Sequence, residues 1–166
     1  MKAITIHQPW ASLVAIGSKG FETRGWATKY RGSLAIHAGV KAPFDVLTGE
    51  DVETIIRAGL ALGLRAAVAD EGAHAIVQEM DEKLPRGAVI ATTELVECWK
   101  VEHIVGCRAI MQADSNKMAG HIFSSDNEVL FGNWAPGRFA WELANVVMLQ
   151  EPVPARGQQG LWEVDL

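Results

Sequence analysis

The chain has 166 residues, 49% of them hydrophobic, a formal net charge of −5 and two cysteines. That length can bury one full core unaided, and two cysteines exclude a disulfide-stapled scaffold, as expected of a cytoplasmic chain. The acidic total excludes the overall basic excess of a non-specific nucleic-acid binder, and no apolar run approaches a membrane span.

Residues 1–6 alternate as a strand start and lack the apolar core of a secretion signal. Pro9 suits the first turn of a helix, Trp10, Leu13 and Val14 recur at helical spacing, and Gly17 is placed to end it. After the turn from Gly17 to Gly20, residues 21–26 alternate again. Phe21 and Thr23 then share one face of a strand, and Glu22, Arg24 and Trp26 share the other. Residues 33–37 form the next strand, on which His37 points opposite to Ile36; its imidazole could line a cleft or hydrogen-bond in the wall. Residues 42–84 read as a helical acidic insertion, with Val52, Ile55, Ile56 and Leu60 on one stripe and Ile76, Val77 and Met80 on another. Alternation resumes over 89–101 and 138–143, and 161–166 closes the chain as a short strand. About six strands with three or four helices predict one α+β domain over residues 1–166.

Charge is unevenly spread. Residues 1–41 carry six Lys and Arg against one acid, whereas 42–82 carry nine acids against two arginines. The basic segment holds the candidate site: Lys19, Glu22 and Arg24 around one turn and strand, with Gln8, Trp26, Tyr30, Arg31 and His37 nearby and Arg138 from a later block. Lysine and arginine suit phosphate, and an aromatic ring beside them suits a stacked base. Each residue has a plainer role as well. Glu22 and Arg24 could be a surface pair, Trp10 core packing, His7 a turn residue or a proton carrier, and Tyr30 and Arg31 ordinary loop surface.

The pattern Gly17-x-Lys19-x-x-Glu22-x-Arg24, preceded by Gln8-Pro9-Trp10 and followed by Tyr30-Arg31-Gly32-x-Leu34-x-Ile36-His37-Ala38, resembles the ASCH domain family, activating-signal-cointegrator homology domains of the PUA-like superfamily. Later blocks are similar to bacterial and phage single-domain members: Leu84-Pro85-x-Gly87-Ala88-Val89, Pro136-Gly137-Arg138-Phe139-Ala140-Trp141 and Pro152-x-Pro154-x-Arg156-Gly157. The resemblance implies a small mixed β-barrel flanked by helices and an RNA- or nucleotide-binding module with its cleft at the barrel mouth. The partner it implies is single-stranded RNA, a nucleotide or a modified nucleoside. Some members hydrolyse acetylated cytidine and others are reported as ribonucleases, so the alternative is a metal-independent hydrolase, a ribonuclease or N-acetylcytidine amidohydrolase, acting through Lys19 and Glu22. The deacetylating members carry threonine three residues after the lysine, where this chain has Glu22 and Thr23 falls one position later. Glu94 is the guess for a later acidic partner.

Other chemistries fail on spacing. Gly17-Ser18-Lys19-Gly20 lacks the Lys-Ser/Thr run of a phosphate loop, and no GxGxxG follows a strand. Cys98, His103, Cys107 and His121 lack the tight ligand pairs of a zinc site, so neither metal nor other cofactor is expected. The letters do not give the oligomeric state. They do predict that Lys19, Glu22, Arg24 and His37 border one common cleft.

Overall fold

The alternation of the early segments calls for a sheet packed on a core, and the computed structural model, which describes residues 1–105, 108–113, 118–122 and 126–166, contains one. In chain order the elements are β1 (Lys2–Ile6), α1 (Trp10–Ala15), β2 (Phe21–Arg24), β3 (Gly32–Ala38), α2 (Pro43–Leu47), α3 (Val52–Ala61), α4 (Arg65–Val68) and α5 (Ala73–Lys83). There follow β4 (Ala88–Val105), β5 (Arg108–Ala113), β6 (Met118–Ile122), α6 (Asp126–Leu130), β7 (Phe139–Pro154) and β8 (Leu161–Glu163). The strands pair in the order β2-β7-β4-β3-β1-β8, with β5 and β6 branching from β4. β1 and β3 run parallel, and β3 with β4 and β4 with β7 run antiparallel.

The α+β class is as expected, and the strands outnumber the expected six. The sheet has eight strands, and among the described residues its pairing path ends at β2 and β8 instead of closing. β2 has four residues and β8 three, and the β5–β6 hairpin grows from the far end of β4. Three register shifts between β4 and β7 bend these long strands over the core.

Ile4, Ile6, Leu34, Ile36, Leu95 and Trp141 fill that core together with Ala11 and Val14 of α1. A second cluster joins Leu13 to Ile55, Ala58, Ile76, Met80 and Phe131, with Trp10 packed against both clusters. The stripe expected on α3 is rotated: Val52 and Leu60 are exposed, while Thr54, Ile55, Ala58 and Gly59 are buried. Small residues face inward because the helices lie close, so that a Cβ on Gly59 would sit 2.6 Å from Ile76 Cγ2 and 2.8 Å from Ala67 Cβ. Asp51 caps α3 by accepting from the Thr54 amide, and Glu79 accepts from the Arg65 and Ala66 amides at the start of α4.

Pairing of β1 with β3 places Thr5 beside His37, and alternation carries His7 and Gly39 onto the same face one step further along. Pairing of β2 with β7 sets Glu22 against Trp141 and Arg24 against Phe139. These two registers position the site.

Candidate functional site

Gly17 takes the left-handed conformation, φ +76°, that lets α1 turn sharply into β2. The turn tucks Lys19 inside, only 1% exposed, where its ammonium donates to the Phe21 carbonyl. Lys19 Nζ lies 3.8 Å from Glu22 Oε2, and Glu22 Oε1 lies 3.0 Å from Arg24 Nε. Arg24 Nη2 donates to the Thr5 carbonyl at 2.7 Å, tying β2 to β1. A second carboxylate, Glu128 of α6, accepts from the Gly20 and Phe21 amides at 2.8 and 3.0 Å. Burial lowers the Lys19 pKa from its ordinary value while Glu22 and Glu128 pull it back up, and burial raises that of Glu128. One buried cation thus sits between two carboxylates, the arrangement that a desolvated charge requires.

Two hollows flank this line of charges. The larger, about 850 Å³, is bordered by His7, Arg24, Trp26, His37, Val40 and the loop from Ala155 to Gly160. The smaller, about 540 Å³, is bordered by Trp10, Lys19, Glu22, Thr23, Asn133 and Arg138, with Glu50 from the helical insertion. The expectation of one common cleft is therefore corrected: Arg24 and His37 share the larger hollow, and Lys19 and Glu22 face the smaller. Arg24 reaches toward β1 for the Thr5 carbonyl, whereas the turn before β2 folds Lys19 under Phe21. Among the described residues no carboxylate borders the larger cleft, while in the smaller one Glu22 and Glu50 balance Lys19 and Arg138.

Both imidazoles of the larger cleft have their pKa lowered. His37, 1% exposed, donates from Nε2 to the Ala155 carbonyl at 3.0 Å, which leaves Nδ1 a lone-pair acceptor, buried and without a partner. Its pKa is lowered by burial, and that of His7 is lowered by burial and by the nearby cations Lys41 and Arg24. Two glycines make room for these rings. A Cβ on Gly157 would lie 2.4 Å from His37 Cε1, and one on Gly39 would lie 2.5 Å from His7 Nδ1. Trp26 stands at the cleft, 37% exposed, and meets Trp141 edge-on with ring centroids 4.6 Å apart.

Several sequence candidates serve the fold. Gln8 is fully buried, donating to the Pro85 carbonyl at 2.7 Å and accepting from the Ser12 amide at 3.1 Å. Tyr30 donates its hydroxyl to the Ser33 carbonyl, and Arg31 pairs with Glu97 and donates to the Thr28 and Tyr30 carbonyls. Arg138 donates to the Asn133 and Thr23 carbonyls beside the smaller hollow. Glu94 accepts from Asn145 and borders neither hollow, whereas Glu128 is the second carboxylate beside Lys19. Among the described residues no group of three or more His, Cys, Asp or Glu could hold a metal; Cys98 is buried in the core, and Cys107 lies outside the described residues. Sequence reasoning passed over Arg156 as a site residue, although its signal was present: an arginine between prolines and glycines in a loop before the last strand. Glu128 carried no signal, being one acid on a short helix.

A mixed α+β sheet whose early strands and Gly-x-Lys-x-x-Glu-x-Arg turn frame a cleft defines a PUA-like module, a class associated with RNA binding. The chain belongs to the ASCH domain family, whose model, "ASCH domain", matches residues 4–153. It is similar to activating signal cointegrator 1 of Homo sapiens and of Mus musculus, each 41% identical over a stretch covering 30% of this chain and 10% of the relative. The chain thus spans about a tenth of the length of the curated relatives it matches. Among the described residues no helix is long and apolar enough to cross a membrane.

Proposed function

We propose that this domain binds single-stranded RNA or a nucleotide in the larger cleft. The observation that carries this reading is the charge of the lining: Arg24 and Arg156 with two imidazoles and, among the described residues, no carboxylate, in a chain whose formal net charge is −5. An acid-free cationic cleft concentrates anions locally whatever the total charge, and Trp26 beside it offers a face to a base. Arg24 keeps one guanidinium nitrogen, Nη1, without a protein acceptor among the described residues, while Nη2 and the contact with Glu22 fix its direction. Labelled oligonucleotide titration at several salt concentrations tests the reading. Binding that weakens with salt, and weakens on Arg24→Ala, supports it; salt-independent binding, or none, refutes it.

A second reading has one observation in its favour. Lys19 is buried beside two carboxylates, burial lowers its pKa, and it borders a hollow containing Thr23 and Asn133, so a lysine–carboxylate pair could move protons in hydrolysis. Its test is turnover of acetylated cytidine or RNA without metal, abolished in Glu22→Gln.

A further inference from the structure

The loop from Arg156 to Gly160 crosses the face of β1 and β3 that carries Thr5 and His37. It is pinned by the His37 bond to the Ala155 carbonyl and by the Thr5 hydroxyl, which donates to the Gln158 carbonyl at 3.0 Å. Those bonds use carbonyls. Among the described residues the backbone N–H groups of Arg156, Gly157, Gln158 and Gln159 form no hydrogen bond within the protein. These four unpaired amides belong to residues that line the larger cleft, where they remain available as donors to an anion. Arg156 itself makes no ion pair among the described residues, and Arg24 borders the same cleft from the other side. The loop lies over the Nδ1 of His37, an unpartnered acceptor in a fully buried ring.

Resting on the binding reading above, we propose that the cleft takes a phosphomonoester, the phosphorylated end of a strand or of a free nucleotide, seated on the amides of residues 156–159 between Arg24 and Arg156. Charge decides between this and an internal linkage. A phosphodiester carries one negative charge and two of its oxygens are esterified, so it can use only part of two guanidiniums and a row of amides. A phosphomonoester carries close to two charges at neutral pH and three free oxygens. The two arginines suit that dianion; among the described residues no carboxylate lines the cleft itself, and Glu22, paired with Arg24 behind it, opposes the anion only from a distance.

The experiment compares four probes of one base composition: a short single-stranded RNA with a phosphate at its 5′ end, the same with a phosphate at its 3′ end, the same with hydroxyls at both ends, and a free nucleoside monophosphate. Binding is read by fluorescence anisotropy, with the monophosphate as competitor. One phosphorylated end should bind roughly tenfold or more tightly than the hydroxyl-ended strand, the gain expected of added charge-assisted bonds. Competition by the monophosphate at similar concentrations identifies a free nucleotide as a sufficient source; competition only at far higher concentrations identifies the strand end. Arg156→Ala should erase the preference while leaving circular dichroism unchanged, because its side chain holds no ion pair. Gly157→Ala, whose Cβ would strike His37, is the second variant and should erase it by moving the loop. Equal affinity for phosphorylated and hydroxyl ends overturns the proposal and leaves strand binding intact; no binding by any probe overturns the binding reading with it.

Discussion

Glu22→Gln gives opposite signs for folding and for binding. The wild-type carboxylate lies 3.8 Å from Lys19 Nζ and 3.0 Å from Arg24 Nε and is nearly buried. Removing one partner of a buried ion pair costs about 3 to 5 kcal/mol, and Glu128 still neutralises part of Lys19, so the lower figure of about 3 applies. For a chain of this size roughly 2 to 4 °C of Tm accompany each kcal/mol, so Tm should fall by about 6 to 12 °C. Arg24 meanwhile loses its counter-charge. A carboxylate about 8 Å from a phosphate held by Arg24 opposes it by roughly 0.5 to 2 kcal/mol across the range from water-like to protein-like screening. The variant should therefore bind a labelled strand about twofold to thirtyfold more tightly in low salt. Thermal melts and anisotropy titrations at 20 °C, well below either melting point, measure both. Weaker binding at unchanged Tm would refute the argument. A hydrolase working through Lys19 and Glu22 would instead show turnover falling by about 10² to 10⁴ with affinity little changed.

Three further outcomes follow from the same contacts. Trp26→Ala should weaken strand binding by roughly 1 to 3 kcal/mol with the salt slope unchanged, whereas Arg24→Ala should lower the slope by about 0.7, and equal slopes in the two variants would contradict their assigned parts. Gly59→Ala should lower stability by roughly 1 to 2 kcal/mol in urea titration, because overpacking against Ile76 and Ala67 outweighs the gain in helix propensity; a stabilised variant would show that the helices have room. The lowered pKa of His37 means that the unfolded chain binds its proton first on acidification, so stability is full above the unfolded value near 6.5 and is lost as the pH falls below it. Urea titrations from pH 8 to 5 should show this fall in the wild type and a shallower one in His37→Gln, and parallel curves would remove His37 as its source.

Periodicity made the local structure legible and left the long-range joins unreadable. Trp10, Leu13 and Val14 at helical spacing appear in α1 as read, and the alternation expected over residues 21–26 appears in β2 but stops at Arg24, short of Trp26. The rotated stripe of α3 was hidden because Ala58 and Gly59 carry no hydrophobic signal, although their small size is what lets the helix approach. The ends of the pairing path were hidden for another reason: three or four residues of alternation, all that β2 and β8 offer, cannot say whether two edges meet. At the site, the link from Glu22 to Lys19 and Arg24 spans few residues and shows in the spacing. The division into two hollows depends on where β1 and the 155–160 loop lie, contacts more than a hundred residues apart in the chain. Gln8, Tyr30 and Arg31 illustrate the same limit, since a polar side chain in a motif looks identical whether it awaits a ligand or satisfies a neighbouring carbonyl.

The central claim is that the acid-free cleft, and not the hollow beside Lys19, is where nucleic acid binds. The direct measurement is the affinity of one labelled single-stranded RNA for the wild type, for the Arg24→Ala/Arg156→Ala double variant and for Arg138→Ala, at one low salt concentration, with melts to confirm folding. The double variant should lose at least about tenfold in affinity while Arg138→Ala stays within about twofold of wild type. Loss of binding in Arg138→Ala with the double variant unaffected would place the strand in the other hollow and contradict the account.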